Sequence, residues 1–239
     1  MAFHNSTVVI TGGSRGIGRQ IALGFARDTA HALMLIARDS TALDKARKDC
    51  IDAGCKKVET AVCDLTVPEE IQDLELPAGL PGVGVLVNNA GTFLLKPLAG
   101  TTPDEFRRQW EINAMAPFLL TRKLLPGLLQ QERGLVVNIS SVGALSGQPQ
   151  SGAYSSSKHA LLGFSRSLRL ELRNTSVAVT TINLGQTMST SWEGVEVDPD
   201  ELIDPSDVAG LIVSLTRMSS RSVAEEITLR PRKGDRKPD

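Results

Sequence analysis

The chain has 239 residues, a net charge of −1 and a hydrophobic content of 41%. That is enough for one large core and too near neutrality for a nucleic-acid or anionic-membrane surface. Its three cysteines (Cys50, Cys55, Cys63) and three histidines (His4, His31, His159) lack Cys-x-x-Cys or metal-ligand spacing, so reduced thiols and no metal site are expected.

Short apolar or β-branched runs fall at 7–11, 32–37, 57–63, 83–88, 134–140, 176–183 and 225–230. Helical patterns lie between them near 16–28, 41–53, 68–75, 103–125, 153–173 and 206–218. Leu161, Phe164, Leu168 and Leu172 recur at helical steps and mark one buried face. The runs at 83–88 and 134–140 are too apolar for half-exposed strands and suit a parallel sheet covered on both faces. Alternating strands and helices imply right-handed βαβ units and an α/β fold. The N-terminus enters a strand-like segment with no signal-peptide pattern, and no apolar run approaches the ~20 residues of a membrane helix, so no membrane partner and a cytoplasmic location are expected. A charged tail follows from Pro231 to Asp239.

The first strand runs into Thr11-Gly12-Gly13-Ser14-Arg15-Gly16-Ile17-Gly18, and a helical pattern follows. Glycines there let the backbone turn sharply and approach a pyrophosphate, which the helix N-terminus then meets with unpaired N–H groups. The second strand ends Ala37-Arg38-Asp39. Arg38, with Arg15 from the glycine turn, could clamp the 2′-phosphate of NADP(H), which is favoured over NAD(H). Asp39 could neutralise Arg38 or reach the ribose itself. Tyr154, the only tyrosine, precedes Lys158 by four residues. That places both on one helix face, where an ammonium would lower the phenol pKa and create a general acid/base. The pair alone is a weak signal.

With the glycine turn, Asn88-Asn89-Ala90-Gly91 and Tyr154-x-x-x-Lys158 in order, the chain resembles the short-chain dehydrogenase/reductase family over about residues 5–230. The resemblance implies a single-domain Rossmann fold over 1–230, with a doubly wound, mostly parallel seven-stranded sheet in the order 3-2-1-4-5-6-7 and helices on both faces. It implies a catalytic tetrad of Asn113, Ser141, Tyr154 and Lys158; Ser141 is chosen over Ser140 because it stands thirteen residues before Tyr154. For the cofactor it implies Gly12, Ser14, Arg15, Gly16, Ile17, Gly18, Arg38, Asp64, Leu65, Asn89, Ala90 and Gly91, together with Tyr154, Lys158, Gly185, Thr187 and Ser189. The substrate wall would comprise Ser141, Val142, Leu145, Gln148, Tyr154, Met188 and Trp192, the last two on a short lid at 186–204. The family usually carries Asn-Pro-Gly after the sixth strand; here Asn183-Leu184-Gly185 stands instead, which puts backbone rigidity beside the nicotinamide in doubt.

The expected activity is reversible hydride transfer between the nicotinamide and a carbonyl or secondary-alcohol carbon of a small molecule. A 3-oxoacyl-carrier-protein reductase is the alternative, but the short lid and the C-terminal end favour a general carbonyl reductase of the sepiapterin or diketone type. A redox sensor that binds the dinucleotide without catalysis is the remote alternative. Pairing of copies through 103–125 and 153–173, to a homodimer or homotetramer, is what the resemblance implies.

Overall fold

In the computed structural model, which describes residue 3 and residues 5–28, 31–192 and 194–234, the strands follow the apolar runs to within two residues. His4 and residues 235–239 of the charged tail lie outside the described residues. The strands are β1 (Ser6–Thr11), β2 (His31–Ala37), β3 (Val58–Val62), β4 (Val83–Asn88), β5 (Gly134–Ser141), β6 (Val177–Leu184) and β7 (Glu226–Leu229). They form one sheet in the order β3-β2-β1-β4-β5-β6-β7 with parallel neighbours throughout. Every residue of β1, β4 and β5 is buried, as strands covered on both faces must be.

The helices are α1 (Gly16–Arg27), α2 (Ser40–Asp52), α3 (Pro68–Asp73), α4 (Pro103–Trp110), α5 (Ala116–Leu129), α6 (Gly152–Leu172) and α7 (Pro205–Leu215). Ile21, Phe25, Leu43, Val208 and Ile212 from α1, α2 and α7 pack on one face of the sheet. Ile71, Leu120, Leu124, Leu128, Leu168 and Leu172 from α3, α5 and α6 pack on the other. Local chemistry sets several helix starts. Asp39 accepts a hydrogen bond from Ala42 N–H at the head of α2. Thr102 and Glu105 form a reciprocal capping box before Pro103 on α4.

The helix expected over 103–125 is divided in two. Pro117 has no N–H, so the Asn113 carbonyl, four residues earlier, loses its helical partner. The chain responds with a wide π-type turn over Glu111–Met115, in which Ala116 N–H bonds Glu111 O. Asn113 is carried in that turn. Leu184, where the family has proline, simply continues β6 and is buried in the core opposite Ser141.

The strand order reverses beside β1, where β4 takes the place next to it. Crevices at such a reversal, at the carboxyl ends of the strands, are where α/β sheets bind ligands. Every predicted site residue lies at or beyond those ends, on α6, or in the turn between α4 and α5.

Candidate active site

The glycine turn is a cradle from which side chains are barred. Gly12 and Gly16 have φ of +64° and +53°, left-handed values natural to glycine. A Cβ on Gly18 would lie 2.1 Å from Gly12 O and 2.5 Å from Asn89 Nδ2, so no side chain fits there. Asn89 ties the turn to β4: its side-chain N–H donates to Thr11 O, and the backbone N–H groups of Asn89 and Ala90 donate to Thr11 Oγ1, each at 2.9 Å. The head of α1 behind this turn has no side-chain cap, which leaves its N–H groups to an anion. A dinucleotide pyrophosphate fits this cradle. The segment that includes Ser189 approaches it, since a Cβ on Gly16 would stand 3.8 Å from Thr190 N.

At the far end of the crevice, Arg15 pairs with Asp39 at 3.0 Å and Arg38 lies 3.9 Å from Asp64. Asp39 thus neutralises Arg15 rather than Arg38, while its other oxygen caps α2. These exposed pairs are weakly held, so both guanidinium groups can exchange a carboxylate for a phosphate. Burial pushes the Asp64 carboxyl up, but the Thr66 N–H and hydroxyl, with Arg38 and Arg108 nearby, hold it below the usual range. Arg108, on α4, has no sequence motif that marks it. Leu65 lies in the core, with its side chain turned into the cluster of α5.

The four predicted catalytic residues come together. Ser141 Oγ accepts a hydrogen bond from Gly143 N–H at 3.0 Å, and it and the Tyr154 ring both border Gly143, at 3.4 and 3.5 Å from where a Cβ would stand. Lys158, on the next turn of α6, is 5% exposed and donates from Nζ to Ile139 O at 3.0 Å. Gly91 stands beside it and makes room for Asn113: a Cβ there would lie 2.8 Å from Asn113 Oδ1, and at an ordinary contact distance of 3.6 Å from Lys158 Nζ. Asn113 is fully buried. Its side-chain N–H groups reach Thr92 O (2.9 Å), Ser157 Oγ (3.0 Å) and Gln109 Oε1 (3.2 Å), while Oδ1 accepts from Thr92 N–H (3.0 Å). One amide therefore binds the wide turn to α4, to α6 and to the loop after β4.

The lowering of the Tyr154 pKa that the Tyr-x-x-x-Lys spacing predicts is absent from this geometry. Burial pushes the phenol up, and the Ser141 hydroxyl is what opposes it. Lys158 Nζ lies 5.9 Å from the ring centroid and is bound to a carbonyl. Burial also brings Lys158 down to about 8. Two buried ionisable groups each resist charging, and that cost outweighs their mutual attraction.

The predicted substrate wall is met unevenly. Leu145 and Gln148 stand exposed at the rim, whereas Val142 is buried. Trp192 donates its indole N–H to Thr187 O at 3.0 Å, and Thr187 O–H bonds Gly185 O, also at 3.0 Å, so Trp192 anchors the 186–204 segment. Met188 is half-buried and its N–H bonds Ile203 O at 3.0 Å. Phe93 was not foreseen: its ring meets that of Tyr154 edge-on, with centroids 4.9 Å apart. Its position two residues beyond Asn-Asn-Ala-Gly was the available signal. Among the described residues no cluster of three or more His, Cys, Asp or Glu side chains could hold a metal ion, and no helix is long and apolar enough to cross a membrane.

The fold and this constellation define a dinucleotide-binding oxidoreductase class, and comparison with known proteins gives the family. The family model described as short chain dehydrogenase matches residues 6–199; the chain belongs to the short-chain dehydrogenase/reductase family. It is 31% identical to a sepiapterin reductase from Chlorobaculum tepidum over 97% of this chain and 98% of that protein. Among solved structures, an alcohol dehydrogenase from the archaeon Thermococcus sibiricus complexed with 5-hydroxy-NADP superimposes with a TM-score of 0.88 at 27% identity, covering 98% of this chain and 99% of the other. The L-sorbose reductase of Gluconobacter frateurii, complexed with NADPH and L-sorbose, gives a TM-score of 0.88 at 25% identity over 97% of both chains.

Proposed function

We propose that the chain is an NADP(H)-dependent oxidoreductase that interconverts a carbonyl and a secondary alcohol on a small substrate, with Tyr154 as general acid/base. The observation that carries this reading is the convergence of the four side chains: Ser141 and Tyr154 both border Gly143, Lys158 Nζ lies 5.9 Å from the Tyr154 ring centroid, and Lys158 and Asn113 both border Gly91. When bound, NADP(H) supplies or takes up the hydride.

The protein's part is to manage the proton. Ser141 Oγ already accepts from Gly143 N–H, so its hydroxyl is left to act as a donor, which a substrate oxygen seated beside Tyr154 would take over from the phenol and which would stabilise charge gathering there. Tyr154 gives its hydroxyl proton to that oxygen in reduction and takes it back in oxidation. Lys158 has three N–H donors and spends one on Ile139 O; the others would hold the nicotinamide ribose. The Asn113 carbonyl, which Pro117 deprives of a helical donor, would hold a water that connects Lys158 to solvent. Gly12, Ser14, Gly16, Ile17 and Gly18 would seat the pyrophosphate, Asp64 and the backbone of Leu65 the adenine, Asn89, Ala90 and Gly91 the ribose side, and Gly185, Thr187 and Ser189 the carboxamide. Arg15 and Arg38 would take the 2′-phosphate; the solved relatives complexed with 5-hydroxy-NADP and NADPH support that choice. Likeness to sepiapterin and sorbose reductases supports a carbonyl substrate.

Replacing Tyr154 with Phe should lower turnover at least ~100-fold, the low end of general acid/base contributions, with NADPH binding retained. Undiminished carbonyl reduction by that variant would defeat the assignment. Tight NADPH binding without turnover on a broad panel of ketones and diketones would instead favour the sensor. Phe106, Trp110, Met115 and Phe118 leave large exposed apolar surfaces on α4, the wide turn and α5. They support association of copies through this face and α6, and light scattering at micromolar concentration tests it.

A further inference from the structure

Against the Tyr154 ring the chain presents a short apolar strip: Phe93, edge-on to that ring, is 47% exposed and Leu95, two residues on, 49%. Leu145, four residues beyond Ser141, is 43% exposed. Large apolar side chains left half-exposed around a reactive group mark a ligand surface. The charges nearest the strip in the chain cancel: Lys96 Nζ is bound by both Glu105 oxygens at 2.7 and 2.9 Å. The basic side chains of the crevice, Arg15, Arg38 and Arg108, gather at the Asp39 and Asp64 end instead.

The strip is also held rigidly. On one side of Phe93, the backbone of Thr92 is gripped twice by the Asn113 side chain, through its N–H and its carbonyl. On the other, Lys96 N–H bonds Gln150 O at 2.5 Å. Gln150 has φ of +59°, a left-handed conformation costly for glutamine. It joins the loop after β4 to the residues that open α6. Phe93 is thus set between two pinned segments and turned against the phenol ring, with nearly half of its surface left to solvent.

We propose that Phe93 is the specificity-determining residue of this site, selecting neutral carbonyl compounds that carry an aromatic or other flat apolar group beside the reacting carbon over small polyhydroxylated ones. This rests on the reaction proposed above and names its substrate class. A carbonyl oxygen bonded by Tyr154 and Ser141 brings its substituent to the Phe93 ring, where an aromatic group adds edge-on or offset contact to its area burial. A hydroxylated substituent there gives up water and finds no polar partner in Phe93, Leu95 or Leu145.

The test compares wild type, Phe93→Ala and Phe93→Leu on 1-phenyl-1,2-propanedione and on hydroxyacetone, by NADPH oxidation, with kcat and KM separated. Wild type should prefer the phenyl dione. Phe93→Ala should lose about 10- to 100-fold in kcat/KM for the dione, mainly through KM, as removal of an aromatic contact implies. Its hydroxyacetone value should stay within about threefold, and Phe93→Leu should fall between. Equal losses on both compounds would show that Phe93 merely supports Tyr154. No loss on either, or a wild-type preference for hydroxyacetone, would equally overturn the proposal. Any of these results with Tyr154→Phe inactive leaves the reaction standing, whereas an active Tyr154→Phe refutes the reaction itself.

Discussion

Replacing Lys158 with methionine removes a cation that the fold buries almost completely while keeping much of its volume. In the folded state Lys158 titrates at about 8, against 10.5 for a solvated lysine. Below pH 8 both states are charged, and the folded protein bears the full cost of burying the ammonium. Between 8 and 10.5 the folded lysine is neutral while the unfolded one still binds a proton, so stability rises with pH; above 10.5 the cost is gone. The interval corresponds to about 3 kcal/mol at neutral pH and to roughly 1 kcal/mol at pH 10, using ~1.4 kcal/mol per pH unit. Methionine also leaves Ile139 O without its donor at 3.0 Å, a loss of about 1–2 kcal/mol that does not vary with pH. Lys158→Met should therefore unfold at higher urea than wild type at pH 7, by about 1–2 kcal/mol. It should lose about 2 kcal/mol of that relative advantage by pH 10, and be nearly inactive throughout. Equilibrium urea denaturation of both cofactor-free proteins at the two pH values measures this. A wild-type-to-variant difference that stays constant with pH would refute the argument, because it would mean that Lys158 titrates like a solvated lysine.

Two other substitutions probe the site from opposite ends. The Ser141 hydroxyl opposes the upward push of burial on Tyr154, so Ser141→Ala should move the alkaline limb of the carbonyl-reduction pH profile upward as it lowers kcat; a downward or unchanged limb contradicts the Ser141–Tyr154 bond. Arg38→Ala should raise the Kd for NADPH about tenfold or more, the loss of one charge-assisted phosphate contact, and leave NADH binding nearly unchanged. Equal weakening of both, in a fluorescence titration, would show that Arg38 does not read the 2′-phosphate.

What local chemistry and spacing could supply was readable in the sequence. Apolar runs too continuous for a solvated face announced strands buried on both sides. Glycines at 12, 16 and 18 announced a close backbone approach; the structure shows it at Gly12 and Gly18 as Cβ positions already filled by Asn89 and Gly12 O, and at Gly16 as a left-handed φ of +53°. The strand order came from resemblance, because pairing joins residues distant in the chain and no run of residues encodes its neighbour. The split of the 103–125 helix was half-legible, since Pro117 alone predicts a disturbed turn. That the turn would present Asn113 to Thr92, Ser157 and Gln109 depended on how α6 and the loop after β4 pack against it.

Side-chain direction and burial were decided only in three dimensions. A lysine four residues after a tyrosine shares its helix face, but spacing says nothing of depth. At the depth found here desolvation governs both groups, and the ammonium turns to the Ile139 carbonyl. Asp39 follows Arg38 in the chain yet pairs with Arg15, because its two oxygens are shared between the head of α2 and the glycine turn. Phe93, in the loop after β4, meets Tyr154 on α6, far along the chain. The sequence by itself determined which chemical groups the site could hold. The tertiary structure decided their partners and their solvation, because hydrogen-bond partners and dielectric surroundings come from segments that only folding brings together.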